Sequence, residues 1–187
     1  MKQQIGINTH RQDREPPPGR ATDGPPPPWP ATPHPLLSPT LAVIHTHQGA
    51  VTRLSWSATP TPQNAADAGL LAQVRDWLAD YFSGHCRPPT FPLLWQGTPF
   101  QQRLGEQLAT IAVGQTLTYG ALAQRLGSGP RAVGQGVGSN PLPLLLPCHR
   151  VVARDGVGGY SGPGGVTTKQ WLLAWERQLA PPGPVIY

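Results

Sequence analysis

The sequence predicts an α+β protein: a small N-terminal α+β unit followed by a largely helical C-terminal domain. Three observations carry this. Leu41–His47 and Ala50–Trp56 are β-rich runs on either side of Gln48-Gly49, the pattern of a hairpin. Apolar residues at spacings of three and four recur over 64–82, 99–111 and 168–176, the pattern of amphipathic helices. Two short segments on either side of Ser128-Gly129-Pro130 give the outline of a helix-turn-helix. The expected division is a proline-rich disordered arm over 1–40, a small α+β domain over 41–92, a helical domain over 93–178 and a tail over 179–187.

The chain has 187 residues, a formal charge of +5 and a pI near 9.8. A basic balance favours an anionic partner, of which nucleic acid is the commonest. Cys86 and Cys148 are the two cysteines, and no C-x-x-C pair occurs. They are expected as free thiols in a reducing compartment, so a cytoplasmic location is expected. No apolar run approaches the length of a membrane span, and no apolar core follows Lys2, Arg11 and Arg14. Neither a membrane partner nor a secretory signal is expected.

Eleven of the 25 prolines fall in residues 1–40. With few apolar residues to offset the entropy of ordering, this stretch reads as a disordered or polyproline arm. In the hairpin, His45 and His47 share one face at period two. They could be a metal pair, but no third ligand is near in sequence, so a solvent-facing edge is the preferred reading and no metal is expected. Leu70, Leu71, Val74, Trp77, Leu78 and Tyr81 then mark the stripe of a helix over 64–82, stopped by Ser83-Gly84. His85-Cys86 follows in a loop and reads as an inert surface thiol.

Thr98 is placed to cap the next helix, with Pro99 at its first position and Gln101 closing a capping box. Phe100, Leu104, Leu108 and Ile111 form its stripe, and Gly114 stops it. Thr118–Gly127 is a short capped helix. The second element of the pair, Arg131–Gly138, is a poor helix, because Gly134, Gly136 and Gly138 each cost about 1 kcal/mol relative to alanine. That cost is accepted where a side chain would obstruct either a packed helix or a close nucleic-acid backbone. Arg131 opens the element, where backbone N–H groups can meet a phosphate.

Asn140–Val152 holds the chemistry. A leucine run bounded by prolines reads as a buried strand or extended segment that delivers Cys148 against the stiff Pro147. A thiol is a strong nucleophile only as thiolate, so it needs a base. His149 adjoins Cys148, and neighbouring side chains of a strand diverge, which favours a bridge through water over direct contact. Glu176, an acid on an otherwise apolar helix, is the chosen orienter of the imidazole. Beyond Val152, Asp155-Gly156 is a turn signal, and a glycine-rich loop presents Tyr160 and Ser161 as a pocket lid would. Thr168–Glu176 closes the series, with Trp171, Leu172 and Trp175 inward.

Pro147-Cys148-His149-Arg150, within Asn140–Val152, resembles the active-site signature of the O6-alkylguanine-DNA alkyltransferases, also called methylated-DNA–protein-cysteine methyltransferases. Gly97–Gln101, Thr118-Tyr119-Gly120, Arg131–Gly134, Tyr160-Ser161-Gly162 and Trp171–Glu176 match in family order. The resemblance is strong over 97–177, looser over 41–96, and does not reach the arm.

The resemblance implies a ribonuclease-H-like N-terminal domain and a winged-helix-like helix-turn-helix that binds duplex DNA through the minor groove. Arg131 would replace an extruded nucleotide, and Tyr119 would press on its phosphate and donate to the flipped base. Asn140 would brace the turn after the recognition helix. Cys148 would take the alkyl carbon from O6-alkylguanine, with O4-alkylthymine the second lesion considered. His149, through water and backed by Glu176, would take the thiol proton. Tyr160 and Ser161 would line the base pocket, Val137 would pack on the base, and Val151 would meet it through its backbone. The thioether is not hydrolysed, so each molecule would act once, as a monomer and without a cofactor. The Ser128-Gly129-Pro130 turn is shorter than is usual in the family, Val137 is often larger, and the loop around Tyr160 is respaced. The cysteines of the zinc site in some relatives are absent. Two competing functions are a non-catalytic lesion sensor or regulator on the same fold, and a thiol hydrolase or redox enzyme.

Overall fold

A computed structural model describes the backbone of residues 2–5 and 41, and residues 42–57 and 67–179; expectations for 1, 6–40, 58–66 and 180–187 lie outside the described residues. Among the described residues the fold is mixed α/β, with two small sheets and five α-helices. Strands β2 (Leu41–His47) and β3 (Ala50–Ser57) form the expected hairpin. Gln48 and Gly49 turn it with φ of +48° and +76°, the pair of positive angles that suits the twist of a tight hairpin.

Two expectations for this region are corrected. Lys2–Ile5 is a strand, β1, antiparallel to β2, with Lys2 opposite His45 and Ile5 opposite Ala42. The arm therefore contributes secondary structure before its first proline, Pro16. As a result β2 is the central strand of three, not a solvent-facing edge. The pairing satisfies backbone groups that an open β2 would present to solvent.

Helix α1 (Ala68–Phe82) buries Leu71, Val74, Leu78, Tyr81 and Phe82. Gly84, at φ +95°, turns the chain after it. Cys86 is half-buried, not on the surface, and its thiol faces the Tyr81 carbonyl at 3.4 Å. Burial pushes that thiol up to about 12, so it is unreactive at neutral pH.

Helix α2 (Pro99–Ala109) has the full capping box: Thr98 Oγ1 accepts from Gln101 N–H, and the Gln101 side chain returns to Thr98 N–H. Its Leu104 and Leu108 are fully buried, each contributing on the order of 2 kcal/mol. Helices α3 (Tyr119–Arg125) and α4 (Pro130–Gly138) pack on each other across the turn at Gly127, φ +59°. Thr118 caps α3 by accepting from Ala121 N–H at 3.1 Å. Strand β4 (Leu117–Thr118) pairs in parallel with β5 (Val151–Val152), an element not expected from sequence. Helix α5 (Gly165–Leu179) begins before Thr168 and buries Trp171, Leu172, Trp175 and Glu176.

Buried residues from both halves form one contiguous core. Leu54 N–H donates to the Pro141 carbonyl at 2.8 Å, and Trp175 Nε1–H donates to the Tyr81 carbonyl at 3.4 Å. The hairpin is thereby held against the segment that carries Cys148, and α1 against α5.

Candidate active site

Asn140–Pro147 is not the expected strand. It is an irregular buried turn in which Leu146 N–H donates to the Leu142 carbonyl at 2.7 Å and Leu144 takes φ +69°. Pro141 and Pro143 lack the N–H groups a ladder needs, so the run folds on itself. Asn140 closes it from both sides. Its Oδ1 accepts from Leu142 N–H at 3.0 Å, and its Nδ2 donates to the Leu146 carbonyl at 2.8 Å. Cys148, His149 and Arg150 follow as one 3-10 turn, all buried. Successive side chains diverge there too, so the thiol and imidazole still point apart.

Cys148 is 3% exposed and lines a cavity of about 240 Å³. Tyr119, Gly134, Val137 and Gly138 come to this cavity from α3 and α4, and Gly159, Tyr160 and Ser161 from the loop before α5. A cavity of this size suits one planar ring system in a snug fit. The glycines of α4 divide by role. A Cβ on Gly136 would lie 2.5 Å from Leu104 Cδ2 and 3.3 Å from Phe100 Cε1, so helix packing requires that glycine. A Cβ on Gly134 or Gly138 would meet nothing within 4 Å; both line the cavity and leave room for an incoming group. A Cβ on Gly162 would meet the Tyr160 ring at 2.4 Å, which fixes how closely the loop covers that ring.

Behind the thiol lies a buried polar network. His149 Nε2 is 2.8 Å from Glu176 Oε1. Arg150 grips the same carboxylate twice, through Nε to Oε2 and Nη2 to Oε1, each at 2.7 Å, and its Nη1 donates to the Ile111 carbonyl. Tyr81 Oη donates to Glu176 Oε1 at 2.6 Å. A carboxylate with this many donors stays ionised: burial raises its pKa, but the hydrogen bonds and charges of His149 and Arg150 outweigh that and hold it well below the usual range. Burial lowers the His149 pKa, with Arg150 and Lys169 adding to the effect against the pull of Glu176, so the imidazole is neutral at pH 7. Its Nδ1 is buried without a hydrogen-bond partner in the protein. Burial also raises the Cys148 pKa, against opposing help from the Asn140 side chain and Lys169. The thiol is therefore protonated at rest and needs a base to react.

Lys169 is a site residue that the sequence reading missed. It is fully buried, and its Nζ donates to the carbonyls of Val151 at 2.6 Å and Gly159 at 2.9 Å, 5.7 Å from the Tyr119 ring centroid. Burial brings its pKa down to about 8. The signal was a lysine three residues before buried Leu172 and seven before Glu176, on the helix's apolar stripe. Tyr81 lies on the apolar stripe of α1, and its hydroxyl also reaches the site.

Of the other expected residues, Tyr119, Val137, Tyr160 and Ser161 meet Cys148 around the one cavity. Asn140 braces the turn from outside the cavity wall, and Val151 reaches Lys169 through its carbonyl. Arg131 is exposed near the start of α4 and does not line the cavity. Among the described residues, no group of three or more His, Cys, Asp or Glu could hold a metal, and no helix is long and apolar enough to cross a membrane.

Comparisons with known proteins point the same way. Residues 99–178 match the family described as 6-O-methylguanine DNA methyltransferase, DNA binding domain. A methylated-DNA–protein-cysteine methyltransferase of Shigella flexneri is 45% identical over 110 residues, 57% of this chain and 63% of that protein. The chain thus spans less than two thirds of that relative's length. The protein of the same name from Mycolicibacterium paratuberculosis is 36% identical over 150 residues, 79% of this chain and 84% of that one. Among solved structures, Mycobacterium tuberculosis OGT in complex with DNA superposes with a TM-score of 0.62 at 33% identity, covering 75% of this chain and 89% of that chain.

Proposed function

The chain belongs to the methylated-DNA–protein-cysteine methyltransferase family, and from that premise we propose that it repairs DNA by moving an alkyl group, typically methyl, from O6 of a flipped-out guanine onto Cys148. The observation that carries the reading is a buried thiol lining a base-sized cavity with the His149–Glu176 pair behind it. His149, through a water at Nδ1, takes the thiol proton. The sulfur attacks the sp³ alkyl carbon, the S–C bond forms as the C–O6 bond breaks, and the departing pair stays on guanine, which is reprotonated. Charge develops on the base as it leaves, so donors around the ring contribute most in that transition state. The thioether has no hydrolytic exit, so each molecule acts once and needs no cofactor. O4-alkylthymine offers the same chemistry and is the second candidate lesion.

In this reading α3 and α4 form a winged-helix-like reader of duplex DNA carrying alkylated bases. Arg131 fills the gap left by the flipped nucleotide, while Tyr119 contacts its phosphate and base. Asn140 braces the turn, Val137, Tyr160 and Ser161 receive the base, and the Val151 backbone contacts it. Residues 41–92 are a small ribonuclease-H-like domain and 93–178 the DNA-binding and transfer domain of a cytoplasmic monomer. Cys148 on the cavity wall favours catalysis over a lesion sensor that only binds.

Incubating the protein with a duplex containing O6-methylguanine and weighing the Cys148 peptide tests this. One added methyl is expected, and none in Cys148→Ala. DNA binding with no mass change would support the sensor, and turnover beyond one equivalent on esters or peroxides a thiol hydrolase or redox enzyme.

A further inference from the structure

We propose that Tyr81, on helix α1 of the N-terminal unit, is a positioning residue for the proton acceptor His149: its hydroxyl donates to the Glu176 oxygen that His149 also meets, and so tempers the pull of that carboxylate on the imidazole. The proposal rests on the reading of Cys148 as alkyl acceptor.

The geometry separates the hydroxyl from the ring that carries it. The Tyr81 ring stacks on Trp77 at 5.5 Å between centroids and meets Phe82 edge-on at 5.2 Å. Its backbone carbonyl accepts from Trp175 and Cys86. A phenylalanine would keep all of these contacts. Only the hydroxyl reaches across 95 positions of sequence to Glu176 Oε1, at 2.6 Å.

That carboxylate does not need Tyr81 for charge compensation, because Arg150 already grips both of its oxygens. What the hydroxyl changes is the share of negative charge that Oε1 offers to His149. Three donors converge there: Tyr81 Oη, His149 Nε2 and Arg150 Nη2. An oxygen that accepts more hydrogen bonds is a weaker base, so it stabilises an imidazolium less. The phenol can only donate, because the carboxylate holds no proton and burial pushes the phenol pKa well up.

The charged and titratable groups around His149 are Glu176 and Lys169 on α5, Arg150 and Cys148 in its own turn, and Tyr81 on α1, with Cys86 just beyond that helix. Arg150 and Lys169 oppose a second positive charge on the imidazole, and Glu176 favours one. Tyr81 moderates the one group that favours it. The N-terminal unit thereby takes part in setting the protonation state of the transfer site.

The test is Tyr81→Phe in the full chain, with two readouts. The first is the NMR titration of the His149 imidazole without DNA. The second is the pH profile of single-turnover alkyl transfer from O6-benzylguanine. The His149 midpoint is expected to rise by about one pH unit, and the acid limb of the rate to move with it. The rate near pH 6 then falls several-fold while the rate near pH 9 stays at the parent value. Incorporating 3-fluorotyrosine at position 81 makes the hydroxyl a better donor at nearly the same shape, and should move the midpoint down. A midpoint that stays put in both proteins, or a rate lowered equally at every pH, overturns the proposal. If the parent protein transfers no alkyl group, the reading of Cys148 fails, but the titration still decides the role of Tyr81.

Discussion

Asn140 Nδ2 donates to the Leu146 carbonyl at 2.8 Å, tying the chain just after α4 to the residue two before the thiol. With its Oδ1 accepting from Leu142 N–H, the one side chain fixes both ends of a turn that holds Leu144 in a left-handed conformation. Such a conformation in a non-glycine residue costs on the order of 1–3 kcal/mol and persists only where its surroundings enforce it. Asn140→Ala leaves the Leu142 N–H and Leu146 C=O without these partners. It should destabilise the protein by about 2 kcal/mol in urea unfolding. It should also slow alkyl transfer from free O6-benzylguanine to Cys148, because the support for Cys148 is lost. A variant as stable and as fast as the parent would show the turn to be held by other means.

The glycines of α4 predict opposite outcomes from the same substitution. Gly136→Ala drives a methyl into Leu104 and Phe100, so it should cost about 1–3 kcal/mol of stability. Gly134→Ala meets open space and replaces a poor helix former, so it should gain up to about 1 kcal/mol. Because Gly134 lines the cavity, the more stable variant should be the slower one on alkylated DNA. Thermal unfolding and single-turnover kinetics on both variants check this, and equal effects on stability would refute the division.

A third prediction concerns pH. The Cys148 pKa is raised by burial and that of His149 is lowered, so near neutral pH the thiol is protonated and the imidazole is free to accept its proton. The parent rate should fall as pH drops through the folded-state His149 pKa and flatten above it. His149→Gln removes the acceptor and leaves only the small thiolate fraction. Its rate should be much lower at pH 7 and should climb about tenfold per pH unit until the raised thiol pKa is reached. A flat profile in His149→Gln would mean that another group accepts the proton.

Local signals were readable and long-range ones were not. The Thr98–Gln101 capping box and the Gln48-Gly49 hairpin depend on residues within a few positions, and each formed as the sequence states it. Cys148 could be singled out because Pro147 and the leucine run mark its neighbourhood. The shape of that run could not, since its turn depends on the side chain of Asn140 and not on periodicity. Strand β1 was hidden because four residues of strand vanish into the composition of a proline-rich stretch. Tyr81 satisfied a helical stripe, so pattern alone gave no reason to ask what its hydroxyl reaches; Lys169 interrupts the apolar stripe of α5, but periodicity does not say which carbonyls its ammonium meets. Distance in sequence, 95 positions for Tyr81 and Glu176, is what kept their contact out of sight.

The last prediction separates DNA engagement from chemistry. Arg131 is exposed near the start of α4 and lines no part of the cavity that holds Cys148. A free O6-benzylguanine molecule entering that cavity never meets it. A base inside a duplex must first leave the stack, and the unstacking cost is offset when a side chain fills the gap. Arg131→Ala should therefore lower repair of O6-methylguanine in duplex DNA by about tenfold or more, since unstacking costs a few kcal/mol. Transfer from free O6-benzylguanine should stay at the parent rate. The ratio of the two rates, measured on one preparation, is insensitive to the fraction of active protein. An unchanged ratio would remove Arg131 from base extrusion and leave it as one more positive charge on a basic surface.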